Sequence, residues 1–520
     1  MSQYVANPRV TFNIVSSARR VGPETQRALL VGQITSGATA TAGTLVSGIP
    51  RTNAELNTLF GEASHLALIA RAYREINSYT QVDALPLADN SGGTAATAVV
   101  TCSGTATAAG TLFLTVVSQY EFEWQIDVAI GDTGATIGTK IAALAAADRN
   151  MPFTTVNSSG TVTFTAANKG THANTWLLAL RGLNGSNKIP GLTIALTGWS
   201  GGATNPSLTT LFDPVQTVRY QTIVWPEAYT LSVLKNFIDA RKNVDNAVME
   251  GRGFVYLNQA FATVKTTAST TNSSEVVILT NETTSQAGTW IGPHVPEAPD
   301  VITARFAAAR DRRFMDDVSI SDIVATNAAL DQFGGQHTAS LPYFNTPLLN
   351  VGQPLIGTGY TLPEQLELEK AGVTIVGSNR SYNATIMGQV VTTYLNDVAG
   401  NVDDTWKYLE WRDTHGLIRE YFQRNCQKEF RQTRMTTGTA VAGYAMVDKP
   451  AIQSFCSLLY QELTQVALTV AGLEARKYFE ANLVVNLHPE KRQVQIAAKT
   501  PMVSQLGEII GTIEYTFQTN

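Results

Sequence analysis

Residues Gly388–Arg434 read GQVVTTYLNDVAGNVDDTWKYLEWRDTHGLIREYFQRNCQKEFRQTR, and the pattern changes twice along them. Val390, Val391, Thr392, Thr393 and Tyr394 are strong sheet formers and predict a strand. Asn396, Asp397, Gly400 and Asn401 interrupt it and predict a turn. Asp403 or Asp404 can cap a following helix, where an acidic first turn faces the helix dipole. Ile418, Phe422, Cys426 and Phe430 recur at every fourth position and form an apolar stripe. The other faces carry Lys407, Arg412, Arg419, Arg424, Lys428, Arg431 and Arg434. Such a helix packs on one side and presents charge on another, either to a partner or simply to solvent.

Working outward, 520 residues exceed what one hydrophobic core usually serves, so several domains are expected. Hydrophobic residues make up 44% and charged residues 15%, a composition of a soluble globular protein. The net charge of −5 gives no overall argument for nucleic acid as a partner. Cys102, Cys426 and Cys456 are odd in number and far apart, and read as buried thiols of a reducing compartment rather than a disulfide framework. The start, MSQYVANPRV, has no apolar signal core, and no apolar run reaches the roughly 20 residues that span a bilayer. The expectation is a chain made in the cytoplasm with no membrane insertion.

Along the chain, Val10, Phe12 and Ile14 alternate with polar neighbours and predict a short strand. It is either an ordinary edge strand or an arm that joins another subunit's sheet. Residues 21–89 read as a small α/β unit, with strands near Ala28–Ile34 and Tyr79–Leu85 around helical pieces. Residues 90–205 are poor in charge and rich in Gly, Thr and Ala. They read as an inserted β-rich domain with a helix at Ile137–Ala147. Low-complexity disorder is the alternative, against which Phe113, Phe122, Trp124 and Trp176 supply a core. Residues 206–360 return to strand–helix alternation, which favours a mainly parallel sheet covered on both faces. Residues 361–505 form a last α/β domain. In it, Ile452, Phe455, Leu459, Leu463, Val466, Val470 and Leu473 predict a continuous helix over 450–479. Ile513, Tyr515 and Phe517 alternate within a terminal strand, 506–520. The fold class is thus mixed α/β and multi-domain.

Two motifs imitate catalytic ones. Gly198-Trp199-Ser200-Gly201-Gly202 matches G-x-S-x-G, but Ala203-Thr204-Asn205-Pro206-Ser207 cannot supply the helix that a nucleophile elbow needs. Gly131–Lys140 imitates a phosphate-binding loop, but Thr139 separates the last glycine from Lys140. The histidines lack helical zinc spacing and there is no CxxC. No catalytic residue, cofactor or metal is expected; a serine hydrolase using Ser200 is the distant alternative.

The "GVT-V" stretch at Gly372–Val376, "VVTTY" at Val390–Tyr394, "GNVDDTW" at Gly400–Trp406 and "LEWRDTHGLIREYFQ" at Leu409–Gln423 occur in an order that resembles the last domain of contractile tail sheath proteins, especially of Mu-like bacteriophages. Phe60–Asn77 with Val82–Asp89, and Gly292–Ile323 leading into a Pro- and Gly-rich link at 341–362, extend the resemblance. It implies a structural subunit that assembles with itself as six-fold rings stacked helically around a tail tube. Tube, baseplate and tail terminator proteins are its implied partners, and the virion tail its location. It also implies that terminal arms add strands to the last domain of neighbours. On that basis Val10, Phe12, Ile14, Ile513, Tyr515 and Phe517 are the arm residues. Val390, Val391, Tyr394, Leu483 and Val485 are the acceptor-strand residues, and the cations of 407–434 face the tube. A tube or baseplate component is the alternative within the same class. A subtilisin-like domain occurs in such sheaths, but a shared fold transfers no activity.

Overall fold

The computed structural model describes residues 26–116, 124–148, 150–181, 188–242, 249–280, 287–290, 297–312, 343, 347–348, 351, 359–378, 385–430, 432–441, 444–465, 468–491 and 493–503. The arm residues Val10, Phe12, Ile14, Ile513, Tyr515 and Phe517, and Arg431, lie outside these. So does most of the 341–362 link. The chain is mixed α/β and divides into two compact units, one over residues 26–416 and one over Leu417–Val503. Among the described residues no helix is long and apolar enough to cross a membrane.

The larger unit begins with β1 (Arg27–Gln33), α1 (Asn53–Phe60), α2 (His65–Ile76) and β2 (Gln81–Leu87). Thr52 and Ser64 cap α1 and α2 through their side-chain oxygens, as helix N-termini require. After the inserted segment come β10 (Thr222–Val224), α4 (Leu231–Arg241), β11 (Arg252–Tyr256), α5 (Phe261–Thr271), β12 (Val276–Thr280) and α6 (Pro299–Arg312). Then follow β14 (Pro347–Leu348), α7 (Leu362–Lys370), β15 (Val373–Ser378) and β16 (Thr385–Met387). These strands form an eight-stranded sheet in the order β14-β16-β15-β12-β11-β10-β1-β2. From β15 to β2 every pairing is parallel; β16 and β14 continue the sheet antiparallel.

Strand alternation sends successive residues to opposite faces. Leu30, Phe254, Val277 and Leu279 pack on one side, with Leu66, Tyr73, Val301 and Phe306 of α2 and α6. Leu29, Ile223, Val255 and Ile278 pack on the other, with Leu234, Ile238, Val264 and Leu368 of α4, α5 and α7. Both faces are therefore covered, which explains why the strands read as nearly continuous apolar runs.

Between β2 and β10 lie β3 (Thr97–Gly104), β4 (Gly110–Thr115), β5 (Trp124–Val128), α3 (Gly134–Ala147), β6 (Phe153–Ser158), β7 (Thr161–Ala166), β8 (Leu178–Arg181) and β9 (Leu192–Ser200). With β13 (Ala287–Trp290) they make two four-stranded sheets, β6-β7-β3-β9 and β13-β8-β4-β5. The strand β13 comes from beyond β12 and pairs parallel with β8. A boundary drawn at residue 205 does not register that pairing. Trp199 stacks edge-on to Trp176 at 5.2 Å and donates its indole N–H to Val116 O at 2.8 Å, so the segment has a packed aromatic core.

The smaller unit holds β17 (Arg434–Met435), β18 (Met446–Val447), α9 (Lys449–Gln465), α10 (Leu473–Ala481), β19 (Val484–His488) and β20 (Gln493–Ala497). α8 (Leu409–Phe430) starts in the larger unit and ends in this one. The continuous helix expected over 450–479 is two helices. Leu468 N–H returns to Leu463 O, Tyr460 Oη binds Val470 O, and Gly472 at φ +118° turns the chain. Only glycine reaches that conformation without strain.

Candidate functional site

α8 is anchored by its first two turns. Arg412 is only 6% exposed and binds Glu275 through Nε at 2.8 Å and Glu250 at 2.8 Å. Its guanidinium lies 4.8 Å from the Trp406 ring. Asp413 accepts from Arg310 at 2.7 Å and from Tyr343 Oη at 2.9 Å. Arg252 pairs with Glu275 from the neighbouring strand. Burial pushes the Glu275 carboxyl up, but Arg252 and Arg412 outweigh it and hold the group below the usual glutamate value. Arg412, expected on the charged outer face, is thus corrected to a buried anchor, because these carboxylates would otherwise be buried without compensation.

The expected strand at Val390–Tyr394 is also corrected. The segment bends at Thr393 and forms only an isolated bridge, Val391 to Tyr408. Val391 N–H donates to Thr374 Oγ1, Thr392 N–H to Lys407 O and Thr393 N–H to Val276 O, while Val390 O accepts from Leu409 N–H. These groups are spent within the chain, so Val390 and Val391, both buried, offer no edge to an incoming strand. Tyr394 is tied to Asp403 at 2.6 Å. Gly372, at φ +82°, lets the segment pass, since a Cβ there would stand 2.8 Å from Thr392 O. Asp403 binds Thr405 N–H in a turn, and α8 begins only at Leu409.

In the smaller unit the apolar stripe is as expected. Phe422, Cys426 and Phe430 pack against Val447, Ile452, Cys456, Tyr460, Phe479, Leu483 and Val485. Arg424, Lys428 and Arg434 are exposed, and Arg419 is half-buried. Lys407, in the larger unit, lies over the Tyr408 ring at 5.6 Å. β19 and β20 form a two-stranded antiparallel sheet with no third strand among the described residues. Leu483 and Val485 point into the core while Val484 is 48% exposed. Of the expected acceptor positions, those of β19 alone sit beside an open edge among the described residues.

The catalytic look-alikes resolve into structure. Ser200 is the exposed last residue of β9, paired with Thr97, and no helix follows it. Thr133 caps α3, and Lys140 turns back to Asp132 at 2.7 Å. Sequence reasoning missed a buried group where α2 meets the inserted segment. His65 Nε2 lies 2.7 Å from Asp300, and His172 stacks on His65 at 4.5 Å. Burial, and then Asp300, push the neighbouring Glu227 carboxyl up to about 8. Both His172 nitrogens are buried without a hydrogen-bond partner among the described residues. The signal was faint: isolated polar residues inside apolar stretches. Among the described residues no cluster of His, Cys, Asp or Glu is placed to hold a metal.

No family model matches the chain. It is 25% identical over 482 residues to the Mu-like prophage FluMu tail sheath protein of Haemophilus influenzae, covering 87% of this chain and 89% of that one. The chain is a homologue of a Mu-like prophage tail sheath protein. Among solved structures, the sheath tail protein Lin1278 of Listeria innocua aligns at 13% identity and TM-score 0.46, over 92% of both chains. A sheath tail protein of Desulfitobacterium hafniense aligns at 11% identity and TM-score 0.46, over 97% of this chain and all of the other. The match to the tail sheath relative spans the inserted segment as well as both flanks, since so little of either chain is left out.

Proposed function

We propose that the chain is the structural subunit of a contractile phage tail sheath, located in the virion tail and assembled in the host cytoplasm. The observation that carries this is the homology to a tail sheath protein over nearly all of both chains. Subunits assemble as helically stacked six-fold rings around the tail tube, with baseplate and terminator proteins at the ends. Residues 1–20 and 506–520 are the arms, and Val10, Phe12, Ile14, Ile513, Tyr515 and Phe517 supply their strands. The open β19–β20 hairpin is the preferred acceptor, because an unpaired edge binds an added strand through main-chain hydrogen bonds. Residues 21–89 and 206–360 form the α/β body, 90–205 the outer domain and 361–505 the inner domain. Arg419, Arg424, Lys428, Arg431 and Arg434, with Lys407, face the tube. Heterologous contacts of this kind close into rings and extend into helical arrays.

Contraction is then an exchange of packing between two states rather than catalysis. The subunit moves largely as a rigid body, the arms keep the array connected, and the contracted array makes more contact. The difference drives the tube through the bacterial envelope. No nucleic acid, membrane insertion or cofactor enters the mechanism. Deleting residues 1–16 or 507–520 tests it. Each truncated chain should fold yet fail to form tubes, and normal tubes from both would overturn the arm assignment.

A further inference from the structure

We infer that Cys426 and Cys456 form a latent disulfide, a site of reversible oxidation that clamps α8 to α9. The inference is independent of the proposed function. Cys426 lies on α8 and Cys456 on α9, both in the apolar cluster of the smaller unit. Both are free thiols. Contacts on either side fix the crossing of the two helices. Phe430 meets the ring of Phe455 at 5.2 Å, and Tyr421 Oη donates to Glu462 at 2.6 Å. As residue numbers fall along α8 they rise along α9, so the helices run antiparallel with the cysteines between these contacts. Cys426 packs against the cluster that holds Cys456, and the two thiols lie near enough to shift each other's acidity in opposite directions. A disulfide needs the sulfurs at about 2.05 Å, so closing the bond draws the facing turns of α8 and α9 together.

The pair is also asymmetric in a way that suits stepwise oxidation. Cys456 is fully buried. Cys426 lines a cavity of about 910 Å³, with Phe430, Ile452, Val494 and the cations Arg424 and Lys428. A molecule the size of hydrogen peroxide fits that cavity. The neighbouring Cys456 thiol draws the Cys426 thiol below its ordinary value, against the effect of burial. Cys102, in β3, is the internal contrast: burial pushes its thiol up to about 11.

The oxidant is a peroxide, and the step balances. The Cys426 thiolate attacks one peroxide oxygen, the O–O bond breaks, and the departing hydroxide takes a proton to become water. This leaves a sulfenic acid on Cys426. The Cys456 sulfur then attacks the Cys426 sulfur, losing its proton, and the S–O bond breaks to release a second water. Each thiol sulfur gives up one electron and the peroxide accepts both.

The test uses the full-length chain, purified reduced and treated with hydrogen peroxide near one equivalent. Thiols are counted after denaturation, and the linkage is read by peptide mass spectrometry without reduction. The expected result is a fall from the chain's three thiols to one, with Cys426 joined to Cys456 within a chain and Cys102 free. A Cys456→Ser chain should instead carry a dimedone-trappable sulfenic acid on Cys426. Three free thiols after treatment, a Cys426 link between chains, or oxidation confined to Cys102 would each overturn the inference.

Discussion

Replacing Arg412 by methionine should loosen the seat of α8 on the large sheet. The guanidinium is buried and bonded to Glu275 and Glu250, and it stacks near Trp406. Removing one partner of a buried pair costs about 3–5 kcal/mol, because the remaining charge is left under-compensated. Glu275 keeps Arg252, so the lower end, about 3 kcal/mol, is expected. The assay is urea unfolding of wild type and variant at equal, non-assembling concentration and pH 7. A cycle with Glu275→Gln should give a coupling of about 1–3 kcal/mol. The pH dependence has a definite sign. Glu275 is held below its ordinary value in the fold, so its contribution is present above that value and lost as pH falls through the folded one. The gap between wild type and variant should therefore narrow in acid. Equal stability at pH 7 within about 0.5 kcal/mol, or strict additivity in the cycle, would refute the reasoning.

His172 is held well below its ordinary value of 6.5, first by burial and then by His65, so it is neutral in the fold. Stability it supports is present above about 6.5 and declines below, by at most about 1.4 kcal/mol per pH unit. His172→Leu should flatten that slope in pH-dependent melts; an unchanged slope would clear His172 of the effect. Val484→Lys, at an exposed position of β19, should leave the melting of the chain within about 0.5 kcal/mol of wild type while impairing tube formation in pelleting assays. Unimpaired pelleting would argue against β19 as acceptor. Ser200→Ala should change neither assembly nor any esterase reading, since Ser200 ends a strand with no helix behind it.

The central sheet was legible because its strands are buried on both faces. The strand–helix alternation read over 206–360 is realised as β10, α4, β11, α5 and β12. The helix read at Ile137–Ala147 lies within α3, Gly134–Ala147. Where reading failed, tertiary contacts outweighed local preference. Val390–Tyr394 has strand composition, yet Thr374 and Val276 take hydrogen bonds that a ladder would need. The stripe from Ile452 to Leu473 persists across the break before Gly472, so periodicity alone could not show two helices. Charge on α8 looked uniform in sequence. Only the positions of Glu250 and Glu275, distant along the chain, separate the buried Arg412 from the exposed Arg424 and Lys428.

The most direct measurement is negative-stain electron microscopy of the purified full-length chain, alone and then with its candidate tube protein. The account predicts hollow tubes or stacked rings, nucleated by the tube protein where the chain alone stays dispersed. A monomer that never polymerises under either condition would contradict it.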